Sequence, residues 1–437
     1  MQFESEGQAV EFAKRLTLQV RRDFNGMELF VKVMKYDENK TPAENIDQLC
    51  IQLEEKKSIR RSAFQRYSFG VDCMIKESED VYTKEKRVAT QGEKYPDYYL
   101  AEDLNDLGCS GGEKSFVAVV HIDGNSMGNR VRNLKEKYGS QCGREGWERF
   151  KKKYRQFCDS TDRDYKAVFD EMVHIIIQNI ESGNFSDLNL KQKNGKKILP
   201  IRKIILAGDD VCFACDGRIG LECANIFLKR LMSIKNPLDD EPYYAAAGVC
   251  IVHSKFPFYR AYNVAEGMCR SAKHFIAENA ESPEGEGRAA AIDWHIDFGE
   301  MEGSVSELKK NYIAKDNTNL LLRPYYVGGG KIICYDSFKK ILTSLQKERA
   351  YIPRSKMKRL REALKKGKTA SEYFIRFNKI EDILYNPIND IVTVDNSQAK
   401  GLNDLKIEKG IYYGDKCVVF DAIESVDMFV SIKEAQE

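Results

Sequence analysis

Apolar positions recur along this chain with two periods, and their alternation predicts a protein that mixes helices with sheet. Near the start, Val10, Ala13, Leu16 and Val20 share one face of a helix that stops at Asn25-Gly26, a left-handed cap signal. The run Leu29-Phe30-Val31-Lys32-Val33-Met34 predicts a strand. Thr41-Pro42-Ala43-Glu44 combines an N-cap threonine, a first-turn proline and a capping-box glutamate. It opens a helix apolar at Ile46, Leu49 and Leu53. Residues from about Val71 to Gly112 are polar and glycine-spotted and read as a linker.

From about Ser115 to Gly303 the periods alternate as strand, helix, strand, strand, helix, strand. The apolar run Phe116 to Ile122 ends at Asp123 and passes through Gly124-Asn125-Ser126-Met127-Gly128 into charged helical sequence. A second helical stretch covers roughly Tyr165 to Glu181. Asn194-Gly195 is a hairpin turn signal. After it, Ile201 to Leu206 leads to the turn Gly208-Asp209-Asp210 and a return strand from Val211 to Ala214. A helix over Leu221 to Ile234, a strand over Tyr243 to Val252 and a helix from about Arg260 to Glu278 follow. Ala261, Val264, Ala265, Met268, Ala272 and Phe275 form the apolar face of that last helix, and Ala289 to Asp297 closes the segment as a strand. The order is that of an α+β, ferredoxin-like β-α-β-β-α-β sheet, in which the first strand and the following hairpin are neighbours.

From Ser304 on, the pattern is mostly helical and basic, with another capping-box signal at Thr369-Ala370-Ser371-Glu372. Lys356, Lys358, Arg359, Arg361, Lys365, Lys366 and Lys368 crowd one helix and its exit. Such density suits either a solvated face or a contact with RNA or an effector subunit. Three regions result: residues 1–112, 113–303 and 304–437.

At 437 residues the chain exceeds one compact core, and 42% hydrophobic residues argue against disorder. A formal charge of +2 supplies little global field, so nucleic-acid attraction would have to be local. No opening stretch has the order of a signal peptide, and no segment approaches the ~20 apolar residues that span a bilayer. A cytoplasmic protein without membrane contact is expected. The twelve cysteines then read as reduced thiols, many of them core residues. Cys212 and Cys215 have CxxC spacing, but within a strand both sulfurs do not easily face one ion, and no second CxxC exists to complete a zinc site.

Candidate chemistry lies where carboxylates end buried strands. Asp123 closes one apolar run, and Asp209-Asp210 follows Ile204-Ile205-Leu206-Ala207-Gly208. Two ionised carboxylates ~4 Å apart repel by ~4 kcal/mol at an effective dielectric near 20, so convergence requires a proton or a cation between them. Mg²⁺ or Mn²⁺ is the natural candidate, since a pair of such ions clamps the attacking and leaving oxygens of nucleotidyl transfer. An Asp-Asp pair in an isolated turn is usually only a turn, as at Asp239-Asp240. Both stretches after apolar strands in this topology favour metal. His121 and His295 flank strands and read as core histidines.

In this order the pieces resemble the palm domain of the large polymerase/cyclase subunit of type III CRISPR effector complexes, a relative of GGDEF nucleotide cyclases. Asp123-Gly124-Asn125-Ser126-Met127-Gly128 matches the family's Asp-Gly-Asp/Asn-x-x-Gly turn, and Pro200 to Asp210 its Pro-x-strand-Gly-Gly-Asp-Asp. Gly248-Val249, Pro257-Phe258, Ala265-Glu266 and Ala272-Lys273 match downstream elements. Ile292-Asp293-Trp294-His295 and Phe420-Asp421-Ala422-Ile423-Glu424 fit late signatures.

The resemblance implies a cyclase that joins ATP 3′ to 5′ with release of pyrophosphate, making cyclic oligoadenylate messengers in antiviral signalling. Asp123, Asp209 and Asp210 would hold two Mg²⁺ or Mn²⁺ ions. Gly124, Asn125, Ser126, Met127, Gly128 and Gly208 would approach the nucleotide, with backbone amides ahead of a helix suited to phosphate. Arg270 and Lys273 would cover the triphosphate from the facing helix. RNA-guided effector subunits or RNA are the implied partners.

Departures from the family pattern sharpen a second reading. Ala207 replaces the first glycine of Gly-Gly-Asp-Asp, adding a methyl close to the proposed nucleotide. The histidine-aspartate nuclease domain and four-cysteine zinc module of relatives are absent from the sequence given. The amino-terminal segment resembles the family's first, non-catalytic palm but begins at the end of its third strand. A companion polypeptide completing that half-sheet is therefore expected, unless the chain is a truncated product. A nucleotide-binding scaffold or sensor subunit is the alternative to an enzyme. A diguanylate cyclase is disfavoured, because Asp-Asp stands where that branch carries Asp/Glu-Glu-Phe.

Overall fold

The computed structural model describes residues 3–23, 29–58, 95–108, 115–280, 287–299, 303, 305–328, 333–347, 352–395 and 410–434. Asn25-Gly26 and most of the expected linker lie outside them. The chain divides into two compact units, one comprising Met1–Lys84 with Met127–Cys158, the other Glu85–Ser126 with Asp159–Glu437.

The first unit holds α1 (Glu6–Asp23), α2 (Pro42–Ser58), α3 (Met127–Tyr138) and the start of α4 (Gly143–Glu181). The expected capping box forms: the Thr41 amide donates to Glu44 Oε2 at 2.8 Å, and the Glu44 amide donates to Thr41 Oγ1 at 3.2 Å. Burial does not follow the expected face of α1, where Ala9 is buried but Val10 and Leu16 are exposed. The strand expected over Leu29 to Met34 is also not formed. A strand needs a ladder partner, and among the described residues none pairs with this stretch. A side chain meets its backbone instead, Lys56 Nζ donating to the Val31 carbonyl, and just beyond it Asn45 exchanges two hydrogen bonds with the backbone of Asp37.

The second unit is built on a six-stranded mixed sheet in the order β5-β6-β2-β7-β8-β9. Its members are β2 (Phe116–Gly124), β5 (Ile201–Ala207), β6 (Asp210–Asp216), β7 (Ala245–His253), β8 (Ala290–Ile296) and β9 (Tyr325–Val327). β2 lies between β6 and β7 and runs antiparallel to both, whereas β7 and β8 are parallel. A smaller sheet joins β1 (Tyr98–Leu100), β4 (Lys196–Leu199) and β3 (Gln192–Lys193), with β1 parallel to β4. β1 arises within the stretch read as linker. The Asn194-Gly195 turn connects β3 to β4 with both residues at positive φ, as the sequence signal requires.

β2 reads as a continuous apolar run because both of its faces are covered. Ala118, Val120 and Ile122 pack beneath Tyr165, Val168 and Met172 of α4 and beneath α5 (Gly220–Met232). Val117 and Val119 turn the other way, beneath Ala261, Val264, Ala265 and Met268 of α6 (Phe258–Glu278). α6 approaches β7 closely at Gly248, where an added Cβ would lie 1.9 Å from the Ala265 carbonyl oxygen. Cys212 and Cys215 fall on opposite faces of β6, so they share no metal site.

After β8 come α7 (Val305–Lys310), β9, α8 (Tyr335–Lys347), α9 (Arg354–Lys366), α10 (Lys368–Asn378), α11 (Glu381–Asp395), the hairpin of β10 (Tyr412–Tyr413) and β11 (Lys416–Cys417), and α12 (Phe420–Ser425). The capping box expected at Thr369 is not used. Gly367, at φ +110°, breaks the helix two residues earlier, and Asp316 Oδ2 accepts from the Lys368 amide at 2.7 Å. The two late sequence signatures meet at a buried cation. Arg323 Nη1 donates to Asp421 Oδ1 at 2.8 Å and to Glu424 Oε2 at 2.9 Å, and Arg323 Nε lies 3.6 Å from Asp293 Oδ1. Among the described residues, no helix is long and apolar enough to cross a membrane.

Candidate functional site

Strand register sets the site. β2 and β6 pair so that Asp123 stands directly opposite Asp210, with His121 opposite Cys212. The Gly124 amide donates to the Asp209 carbonyl at 3.3 Å and closes the ladder at the hairpin tip. Directly paired residues share one face with Cβ atoms about 4.5–5.5 Å apart. Asp123 and Asp210 therefore project to the α6 side of the sheet, as Val117, Val119 and Cys212 do. Their side chains are 42% and 48% exposed, so water screens part of their repulsion.

What remains of that repulsion still raises proton affinity. Burial pushes the Asp210 carboxyl above the usual range, His121 opposes this, and Asp123 and Glu266 add to it. Asp209 is likewise pushed up, first by burial and then by Asp123 and Asp210. Lys273, on α6, supplies the nearest positive charge. Its Nζ donates to Asp123 Oδ2 at 2.7 Å and to the Gly124 carbonyl at 2.9 Å. Arg270 does not join it; this side chain is exposed and pairs with Glu266 at 3.3 Å.

Two of the five amides expected to cradle phosphate are already engaged. Gly124 donates to Asp209, and Asn125 donates to the Tyr244 carbonyl at 2.8 Å. Asn125 also donates through Nδ2 to the Ala289 carbonyl at 2.8 Å, so it ties the end of β2 to the chain entering β7 and β8. Ser126 adopts φ +55°, and Gly287 passes so close that an added Cβ would lie 2.1 Å from Ser126 Oγ. Met127 and Gly128 open α3 and belong to the other unit.

Gly208, at φ +63°, takes the left-handed conformation that glycine permits, and its amide donates to Asp162 Oδ1 at 3.3 Å. Sequence reasoning missed Asp162, which sits in densely charged helical sequence. A hydrogen bond from Lys166 and then the Gly208 amide hold its carboxyl below the usual range. His121, read as a core histidine, in fact places Nδ1 3.7 Å from Asp210 Oδ1, and Tyr262 packs edge-on against its ring. Ala207 pairs with Asp210 across the hairpin and is exposed, so its methyl crowds nothing within the fold.

Among the described residues, no group of three His, Cys, Asp or Glu side chains is gathered as a metal site. The donor set nonetheless fits a hard divalent cation. Asp123, Asp209 and Asp210 offer only carboxylate oxygens, two of the three hold protons more tightly than usual, and a bound cation relieves the penalty that a proton otherwise relieves.

No family model and no curated protein sequence matches the chain. Two solved structures, an apo Csm1-Csm4 cassette and a Csm1-Csm4 cassette in complex with pppApApA, are similar to it at 13% identity and a TM-score of 0.33. Each alignment covers 75% of this chain, and 38% and 39% respectively of the other. This chain thus spans about two fifths of the length of the chains it matches in them.

Proposed function

We propose that this chain is a metal-dependent nucleotidyl cyclase, making 3′–5′ cyclic oligoadenylate from ATP as a large subunit of a type III CRISPR effector. The sheet would be its ferredoxin-like palm. The observation that supports this reading is the register of β2 on β6, which brings Asp123 and the 209–210 hairpin together from stretches 86 residues apart beneath Lys273 of α6. Asp123, Asp209 and Asp210 would hold two Mg²⁺ or Mn²⁺ ions. Such ions, once bound, lower the pKa of a ribose 3′-hydroxyl and neutralise triphosphate charge.

The chain's own groups have separable tasks. Asn125 fixes the turn after β2, Gly208 and Asp162 fix the hairpin tip, and Lys273 neutralises Asp123. Lys273 would also be the cation to meet a bound phosphate, while Gly124 and Asn125 act through shape because their amides are engaged. Arg270 takes this role only if it leaves Glu266.

The alternative, a nucleotide-binding scaffold or sensor without catalysis, draws on the same Lys273–Asp123 ion pair, which neutralises one carboxylate without metal. One experiment separates the two. The purified chain is incubated with each nucleoside triphosphate and Mn²⁺, and products are read by mass spectrometry beside a variant carrying Asp209→Ala and Asp210→Ala. A cyclase yields cyclic oligoadenylate from ATP, with the double variant falling by at least about 100-fold. Product that survives the double change disproves the site. Nucleotide binding without product, with or without an added companion polypeptide or effector subunits, supports the scaffold.

A further inference from the structure

His121 carries an unexplained polar atom. Its side chain is only 8% exposed, and its Nδ1 is buried without a hydrogen-bond partner. Asp210 Oδ1 is buried and unpartnered in the same way, and the two atoms face each other at 3.7 Å. A buried polar atom left unsatisfied costs about 1–3 kcal/mol, so two independent orphans in contact are improbable by accident. One movement removes both. Closing the gap to about 2.9 Å turns the contact into a charge-assisted hydrogen bond.

The surroundings limit what else the imidazole does. It projects from β2 opposite Cys212 and Gly248, neither of which offers a strong donor or acceptor side chain. Tyr262 packs edge-on at 5.5 Å between ring centroids and holds the ring on the sheet. Asp210 in turn has one buried oxygen facing His121, and the carboxylate as a whole is 48% exposed at the hairpin end. The carboxylate is therefore divided between an interior contact and an open side.

We propose that His121 is the positioning residue of the cation site: its Nδ1–H donates to Asp210 Oδ1 and fixes the carboxylate so that the open oxygen faces the divalent ion. His121 touches neither substrate nor ion in this role. Outer partners of this kind orient a ligand, and their loss weakens metal affinity by about 10–100-fold without removing a ligand. The role rests on Asp210 holding a cation as proposed above.

Mn²⁺ binding to the full chain without nucleotide, followed by the electron paramagnetic resonance of free Mn²⁺, tests it independently of activity. His121→Phe keeps the ring volume and removes the donor, and should raise the Mn²⁺ Kd by about 10-fold or more. His121→Asn places an amide N–H where Nδ1–H stood and should recover most of that loss. His121→Leu answers the same question if Phe is not accommodated, and melting curves confirm that each variant is folded. Wild-type affinity in the folded Phe or Leu variant would overturn the positioning role, as would equal weakening in Asn and Phe. A wild-type chain that binds no Mn²⁺, or an Asp210→Asn variant that binds as wild type does, would instead overturn the cation site, and the role of His121 with it.

Discussion

At the scale of single residues, His295 shows how a neutral buried base couples stability to pH. It lies on β8 with its ring edge-on to Tyr312, and burial, then the nearby Arg323, holds its pKa below the ordinary imidazole value against the opposing pull of Glu424, Asp297 and Asp293. A base depressed in the folded state contributes fully above its unfolded pKa, near 6.5, and the contribution drains as pH falls below that value. Unfolding free energy from denaturant titration should therefore drop between about pH 7 and pH 5.5, by up to about 1.4 kcal/mol per pH unit for this one proton. His295→Gln should flatten that part of the profile. Asp209 and Asp210 act with the opposite sign. Their raised pKa values favour the folded state while they are protonated, and that advantage is lost as they ionise, which leaves a deficit at neutral pH for a bound cation to offset.

At the scale of elements, α9 carries the positive charge that composition conceals. Arg354, Arg361 and Lys365 lie against Asp427, Glu424 and Glu362, whereas Lys358, Arg359 and Lys366 have no ion-pair partner among the described residues. If this face meets RNA, replacing those three by glutamate should weaken binding of a fluorescent single-stranded RNA in anisotropy titrations. The salt slope should become shallower by about 0.7 per lost phosphate contact. Unchanged affinity and slope would mark the face as merely solvated.

The elements legible in the sequence were those whose burial is local in pattern. β2, β6, β7, β8 and α6 each show a run or a stripe, because both faces of the central strands are covered and α6 presents one face to the sheet, whereas β5 shows a run although only Ile201 of it is buried. β1 was illegible because three residues in a polar stretch owe their strand to pairing with β4, nearly a hundred positions away. The run at Leu29 had strand propensity but no partner, and propensity without a ladder makes no strand. The early part of α4 was hidden by charge: Trp147, Phe150, Tyr154 and Phe157 do recur at helical spacing, with Phe150 and Phe157 buried, but charged residues crowd the positions between them. At the candidate site, the approach of Asp123 to the 209–210 turn was legible because each follows an apolar run. Asp162 and the facing atoms of His121 and Asp210 were not, because nothing local records which side chains a register places together.

At the scale of the whole chain, the sheet is finished by residues far beyond its last sequence-defined strand. β9 adds its edge, and Asp293 of β8 is wholly buried between Lys309 and Arg323, the latter held by Asp421 and Glu424 of α12. Removing one side of a buried ion network costs about 3–5 kcal/mol, comparable to much of a domain's stability. A chain stopped after Val419 should therefore be degraded in limited proteolysis under conditions that leave the full chain intact. A version stopped at residue 303 should fare worse, since it strands Asp293 with neither Lys309 nor Arg323. Such a fragment would keep Asp123, Asp209, Asp210 and Lys273 and still be an unsound reagent: the shortest stretch that contains the proposed site and the shortest able to hold its shape are different lengths of the same polypeptide.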